Sequence, residues 1–570
     1  MQLRESRGPG EPSDAARAIA KGKADEAPGS YRTYADVPKF LGVMTLGERP
    51  VVQLVKADHD QVVVIELAGR SAVIVHAGAQ QALLESIKGT LRGKAYTVAL
   101  RSAPASVIKE IHVAGGKATS VPAAARHLSP YMQAADEWIR YAVDNRASDI
   151  HLETHGSNGE VRFRIDGEVE PMRTANGGHY PANFILECMA SLYNNDQEKK
   201  SGSDSLFDAE KNLYCMVPYK EIPGHSLKLR FQSTKGNEGP KAVLRILPVG
   251  DDQPTRTFVE LGFAPSQIAL LESAMETPSG LICVAGVTNS GKTTMFKSFI
   301  ELNPATPTSN VMTIEDPVEY PIRGAHQYPI QRDLSNPQES AKRFSEVISA
   351  YMRMDPDVVM VGEIRDRHSA NAARQIAQSG HMGLGTVHAH LLSGIVPRLV
   401  DPEIGMTRSV LTAPNMLTLL VYQALVPLLC PHCAMTSVEV EKDRRVTQIM
   451  ANVRTLGQSA GALRWKRPGG CPACQGRGTL GRTVVAEMLM PDEDWLKHIR
   501  EERDTEAMEV YRASRTSRDL MDPDMTGKTI FEHTLHKALH GLVDARNCSA
   551  FDTWPRVMSR HEVNVRRLGT

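Results

Sequence analysis

An excess of either charge is missing from this chain, in which 66 lysines and arginines stand against 66 aspartates and glutamates. A balance at zero gives no global pull toward nucleic acid or anionic lipid. An aromatic content of 5% also leaves few rings on which bases would stack. The opening residues, MQLRESRGPGEPSDAARAIAKGKADEAPGS, contain no apolar h-region, so no secretory signal is expected there. Internal repeats and long low-complexity tracts are absent. Long uncharged runs are scarce, and one needs testing as a membrane span: Ser409 to Cys433 has no Lys, Arg, Asp or Glu and is formally long enough to cross a bilayer. It holds Pro414, Asn415, Gln423 and Pro427 and leads straight into a cysteine pair, which favours a buried core helix. A soluble, cytoplasmic globular chain is expected.

A length of 570 residues exceeds one ordinary core and implies about three or four domains. Residues 1–34, rich in Gly, Pro, Ala and charge, read as a disordered tail. Over 35–115, short apolar runs (VVQLVKA, QVVVIELAG, SAVIVHAG) alternate with a helical pattern at QALLESIKGTLRG, which predicts a small α/β domain. A Gly/Ala/Ser-rich linker follows at 116–128. Ser129 then stands at an N-cap with Pro130 at the first helical position, and the helix they open carries Ala135, Trp138, Ile139, Ala142 and Val143 on one face. Within 129–250 the strand signals DIHLE, VRFRIDG, LKLRFQ and AVLRIL predict a second α/β module. From 251 to 425 strands and helices alternate, the pattern of a largely parallel sheet covered by helices. Residues 426–490 contain two cysteine pairs, and 491–570 read as helical, with FEHTLHKALHGLV amphipathic.

The run GLICVAGVTNSGKTTMFKSFI (280–300) carries the most specific signal. Leu281 to Ala285 is a short buried strand, and Gly286 to Thr293 fits G-x-x-x-x-G-K-[ST]. Its glycines let main-chain N–H groups face phosphates closely, and the following helix points its positive end at them. Lys292 would reach the β- and γ-phosphates, and the Thr293 hydroxyl would complete a Mg²⁺ shell. Gly286, Val287, Thr288, Asn289, Ser290, Gly291, Lys292, Thr293 and Thr294 are therefore the candidates for binding ATP.

Two apolar strands downstream end in acids. DPDVVMVGEIRD (355–366) puts Glu363 at a strand's carboxyl end, where ligands of open α/β sheets bind. A carboxylate there can polarise a water directly or through the Mg²⁺ shell, although a solvated strand-end glutamate is the plainer alternative. VMTIEDPVEY (311–320) gathers Glu315, Asp316 and Glu319, which alone would be no more than an acidic turn. Of the eight cysteines, Cys430 and Cys433 form one C-x-x-C pair and Cys471 and Cys474 another, with about 37 residues between the pairs. Two such knuckles suit a closed, structural Cys₄ zinc site; redox dithiols and unliganded packing are the other readings. Cys188, Cys215, Cys283 and Cys548 are scattered and read as packing residues.

The order of these segments resembles the secretion ATPase superfamily, in its type II secretion and type IV pilus assembly branch (GspE/PilB-like), over roughly Ser148 to Leu489. SDIHLE with VRFRIDG is similar to the opening of that family's N-terminal subdomain. GVTNSGKTT resembles its Walker A loop, TIEDPVEY its aspartate box, DPDVVMVGEIRD its Walker B segment and SGHMGLGTVHA (379–389) its histidine box. The resemblance implies that Glu363 is the catalytic glutamate and that Glu315 and Glu319 are the aspartate-box acids. It implies that His381 and His388 contact the nucleotide or relay its state, and that Arg230 and Arg245 are the arginines turned toward the phosphates. Two stretches depart from the family: T-N-D-A after the second histidine is AHLLSG here, and VYQALVPLLCPHC lacks the basic residues common before the first cysteine pair. Plasmid-encoded thin-pilus ATPases are a further match within the group.

The resemblance further implies an α/β fold with a RecA-like P-loop core, a preceding PAS-like subdomain and a Cys₄ zinc module. It implies a homo-hexamer that hydrolyses ATP with Mg²⁺ and docks on an inner-membrane platform protein, with no nucleic acid bound. The zinc module is common in assembly and secretion motors and missing from retraction motors, so it points to extension. The rival readings are a RecA-like DNA translocase, a conjugation or type IV secretion ATPase, and a non-hydrolysing nucleotide-dependent scaffold.

Overall fold

The computed structural model describes residues 30–568 except 34–35, 39, 41, 46–49, 55–57, 68–70, 119–128, 175, 195–205, 223–224, 249–253 and 331–336. The chain forms two compact units, Met1–His127 and Leu128–Thr570. Most of the expected tail and linker lies outside the described residues. The described end of the tail is not loose: Tyr31 is buried and Ser30 bridges to Ser102. The helix Ala105–Ala118 runs into the first residues expected for the linker.

In the first unit the strands β1 (Gly42–Val43), β2 (Val62–Leu67), β3 (Ser71–His76) and β4 (Thr97–Ser102) pair in chain order. Val51 to Leu54, within the run VVQLVKA, form no strand. The run VVVIEL is apolar throughout because both faces of β2 are covered. Val63 and Ile65 pack in one cluster with Ile108 and Ile111, while Val62 and Val64 pack with Leu84, Ile87 and Leu91 of the helix Gln81–Gly93. The pair β3·β4 is parallel, which requires a crossover, and that helix supplies it.

The second unit opens with an antiparallel sheet of β5 (Ala147–His155), β6 (Asn158–Ile165), β7 (Glu168–Pro171), β8 (His179–Pro181), β9 (Leu213–Ile222), β10 (His225–Thr234) and β11 (Lys241–Pro248). Its order is β7-β6-β5-β11-β10-β9, with β8 beside β6. The helices Pro130–Asp144 and Ala182–Asn194 cover one face, where Trp138 and Ile139 meet Ile150, Leu152, Phe163 and Phe231 in one core. Ser129 caps the first helix by accepting from the Met132 N–H at 3.2 Å. Side chains alternate along a strand, so Asp149, His151 and Glu153 of β5 take the opposite face.

A second seven-stranded sheet, the large sheet by the size of the body around it and the antiparallel one the smaller, holds β12 (Gly280–Ala285), β13 (Val311–Glu315), β14 (Ala325–Pro329), β15 (Val358–Val361), β16 (Met382–Val387), β17 (Leu417–Leu429) and β20 (Thr479–Leu489). β18 (Met435–Thr436) and β19 (Arg464–Trp465) form a separate ribbon. The large-sheet order is β14-β13-β15-β16-β12-β17-β20, parallel except for the final pair. Both faces are covered: Leu281, Cys283 and Ala285 enter one core, Ile282 and Val284 the other. β12 comes first in the chain yet sits between β16 and β17. The connections therefore diverge from it, leaving the crevice at the carboxyl ends of the strands that open α/β sheets use for ligands.

The uncharged run 409–433 is not a core helix. A short helix, Arg408–Leu411, ends before β17, a 13-residue strand. β17 lies between β12 and β20 and is buried on both faces, so its sequence shows no alternation, and an uninterrupted apolar run does not separate buried strand from buried helix. Pro427 is accommodated where the β17·β20 register shifts. Among the described residues, no helix is long and apolar enough to cross a membrane.

The C-terminal region carries helices Glu493–Arg500, Asp504–Ala513, Ile530–Leu539 and Trp554–Leu568. The segment expected to be amphipathic is instead buried on most sides. Lys537 donates to the Gly262 carbonyl and to Thr483 Oγ1, and burial pushes its amine down to about 8. Glu487 of β20 pairs with Arg512 at 2.8 Å. These buried polar bonds fasten the helices to the edge of the large sheet.

Candidate nucleotide site and cysteine centre

The loop after β12 is bent by Asn289 and Gly291, at φ 65° and 85°. The helix Lys292–Leu302 then begins without a side-chain cap, so its first N–H groups remain available to an anion. Gly286 has no room for a side chain: a Cβ there would stand 2.4 Å from Ser290 Oγ and 2.5 Å from the Gln423 carbonyl oxygen. Gln423, fully buried in β17, braces the loop by donating from its side-chain amide to the Ser290 carbonyl at 2.9 Å. Lys292 donates to the carbonyls of Gly286 and Val287 at 2.8 and 3.1 Å. Burial lowers its pKa, while the charges of Glu363 and Glu319 oppose that shift. The donor set fits a polyphosphate, which would offer Lys292 full negative charge in place of two carbonyl dipoles.

Opposite the loop, a cleft of about 380 Å³ gathers Glu315, Asp316, Glu319, Glu363 and His388. Glu363 lies two residues beyond β15, 3.4 Å from His388 and 3.8 Å from Arg365, which also pairs with Asp316 at 3.2 Å. Burial and then the Lys292 charge lower the His388 pKa, against the pull of Glu363 and a bond to the Gly286 main chain. The imidazole is thus neutral at pH 7 and can relay a proton or hydrogen bond beside Glu363. Glu315 is buried, and burial raises its pKa although Thr313 and Gln327 donate to it at 2.6 and 2.9 Å. Thr293 and Thr294 line the same cleft, and their hydroxyls with the nearby carboxylates are the oxygen ligands a Mg²⁺ ion prefers.

The smaller sheet faces this cleft with Arg230 and Arg245, two cross-strand neighbours on β10 and β11. Arg245 Nε donates to Asp149 at 3.0 Å. Arg482 of β20 also lines the cleft, and reading the sequence did not single it out. Among the described residues neither the Arg230 nor the Arg482 side chain makes a hydrogen bond or ion pair. Gln423 was likewise missed as a loop brace, since its partner is 133 residues away. The structure does not bring His381 to the cleft. It precedes β16 and bonds Ser379 at 2.8 Å, whereas His388 follows the strand. An extended strand of that length separates the two by roughly 20 Å.

The four candidate thiols do converge. Their sulfurs all lie within 4.8 Å of one another, with Cys430–Cys471, Cys433–Cys474 and Cys471–Cys474 each 3.8 Å apart. Zinc–thiolate bonds of about 2.3 Å would space tetrahedral sulfurs at about 3.8 Å, so the residues fit that ion. Burial would raise the Cys474 pKa, but N–H donors from Cys471 and Gly478 bring it down to about 6, favouring a thiolate. The turn needs Gly470, where a Cβ would meet the Gly476 carbonyl carbon at 2.5 Å. The knuckle also touches the smaller sheet: Arg477 bonds Glu170 at 2.8 Å and Asn145 at 2.7 Å, and Lys466 pairs with Glu168 at 2.7 Å.

Comparison with known proteins assigns the family. The chain belongs to the type II/IV secretion system protein family, whose model matches residues 124–535. It is 33% identical over 411 residues to the type IV pilus assembly ATPase PilB of Thermus thermophilus, a match spanning 71% of this chain and 41% of that protein. It is 31% identical over 388 residues to the protein transport protein HofB homolog of Escherichia coli, spanning 67% of this chain and 75% of that one. A solved structure of the pilus retraction motor PilT with bound ADP covers 76% of this chain and 100% of its own at 21% identity, with a TM-score of 0.46.

Replacing Lys292 with Ala should reduce ATP affinity below detection in calorimetric titration; retained micromolar binding would contradict the loop assignment. Elemental analysis of purified protein should find about one zinc per chain, and Cys471→Ser should lose it. A stable, zinc-free wild type would remove the metal from the account.

Proposed function

We propose that this chain is an ATP-hydrolysing motor, active as a homo-hexamer, that powers assembly of a type IV pilus or a type II secretion pseudopilus. The observation that carries this reading is the cleft itself, where a phosphate loop and Glu363 on one sheet face Arg230 and Arg245 on another. Names of relatives, one a pilus assembly ATPase and one a transport protein, favour the same class of work.

In this reading the loop amides and Lys292 hold the β- and γ-phosphates, and Thr293 supplies a hydroxyl to Mg²⁺. Such an ion would supply positive charge to offset that of the phosphate oxygens. Glu363 polarises the attacking water, with neutral His388 beside it to orient that water or pass on a proton. Glu315 and Glu319 fix the far side of the site. Arg230, Arg245 and Arg482 meet the charge that builds on the phosphoryl oxygens. Because Arg230 and Arg245 come from a different sheet than the loop, closing on ATP draws two bodies together, and loss of phosphate lets them part. Six such chains in a ring would pass that movement to a platform protein at the inner membrane. The ring itself would remain cytoplasmic and peripheral, and the zinc centre would be structural.

Glu363→Gln tests the chemistry. ATP affinity should stay within a few-fold of wild type while kcat falls by about 10² or more. Unchanged turnover would take the catalytic role away from Glu363.

A further inference from the structure

Four neighbouring strands of the smaller sheet place charged residues in one row. Arg230 lies opposite Arg245, Arg245 opposite Asp149, and Asp149 opposite Arg164. Residues directly opposite share a face, and like charges so placed repel. The row therefore sets three guanidinium groups around one carboxylate. Asp149 is 3% exposed. Its Oδ1 accepts from Arg245 Nε at 3.0 Å and its Oδ2 from Ser148 Oγ at 2.7 Å, with Arg164 Nε 3.9 Å from Oδ2.

The choice of nitrogen matters. A guanidinium has five donors in a rigid fork. Bonding through Nε engages one edge of the fork, and among the described residues neither Nη group makes a hydrogen bond or ion pair. Arg245 and Ser148 both line the nucleotide cleft. We propose that Asp149 is a positioning residue for ATP hydrolysis: by fixing Nε of Arg245 it orients the guanidinium so that its uncommitted Nη donors serve the phosphates. The inference rests on the reading of Arg245 as a cation that meets the transition state. It gives the Asp of the SDIHLE segment a task that its burial alone does not explain.

The test is a double-mutant cycle on the full chain, with ATP affinity and kcat measured separately. Asp149→Ala and Arg245→Gln should each lower kcat by about tenfold or more while ATP affinity changes by less than about threefold. The double variant should fall no further than Arg245→Gln alone. Arg245→Lys keeps the charge at a partly exposed site but loses the fork, so it should behave like Arg245→Gln; this variant decides the matter if Asp149→Ala does not fold. Wild-type kcat in Asp149→Ala or in Arg245→Lys would overturn the proposal, as would losses that multiply in the double variant. Wild-type kcat in Arg245→Gln would remove the arginine's own role, and this inference with it.

Discussion

Bare peptide N–H groups can hold a polyphosphate only where a loop bends so tightly that several face one point and nothing in the protein satisfies them first. The turn after β12 comes close to that condition: Ser290 N–H bonds the Val287 carbonyl at 3.2 Å, but the helix from Lys292 has no side-chain cap, and much of the molecule is arranged around it. Gly286 leaves the space that Ser290 and the Gln423 carbonyl occupy, Gly291 takes a left-handed conformation, and the helix from Lys292 starts uncapped. The strand order follows the same constraint. β12 lies between β16 and β17, so His388 and Gln423 reach the loop from either side.

The electrostatics are divided between two bodies. Glu319 beyond β13 and Glu363 beyond β15 act on Lys292, while Arg230 of the smaller sheet and Arg482 of β20 line the cleft with no side-chain hydrogen bond or ion pair among the described residues. Arg230 stands next to Arg245, whose carboxylate partner is Asp149, so an anionic ligand would relieve the repulsion that remains. β20 links these parts physically. It carries Arg482 into the cleft, begins just after the cysteine knuckle, and near its other end anchors the C-terminal helices through Glu487 and Arg512. The knuckle in turn grips the smaller sheet through Arg477. The four sulfurs thus gather at the point where β20 begins.

Local chemistry was legible in the sequence, and long-range placement was not. The phosphate loop, Glu363 and the two cysteine pairs each declare themselves within a dozen residues, because the spacing is the mechanism. Arg230 and Arg245 needed the family resemblance, since an arginine in an alternating strand carries no mark of the face it takes. Arg482 and Gln423 gave no local signal; their partners lie in other strands. The run 409–433 misled for a different reason: burial on both faces erases the two-residue period that identifies a strand. His381 and His388 look equivalent in one short motif, but an extended strand carries them to opposite ends of the sheet.

The account depends on where a triphosphate sits, and a structure of the chain with Mg²⁺ and a non-hydrolysable ATP analogue tests that most directly. The phosphates should lie within hydrogen-bonding distance of the main-chain N–H groups of residues 288–293. Lys292 Nζ should have left the carbonyls of Gly286 and Val287 for the β- and γ-oxygens. An analogue bound elsewhere, with Lys292 still on those carbonyls, would contradict it.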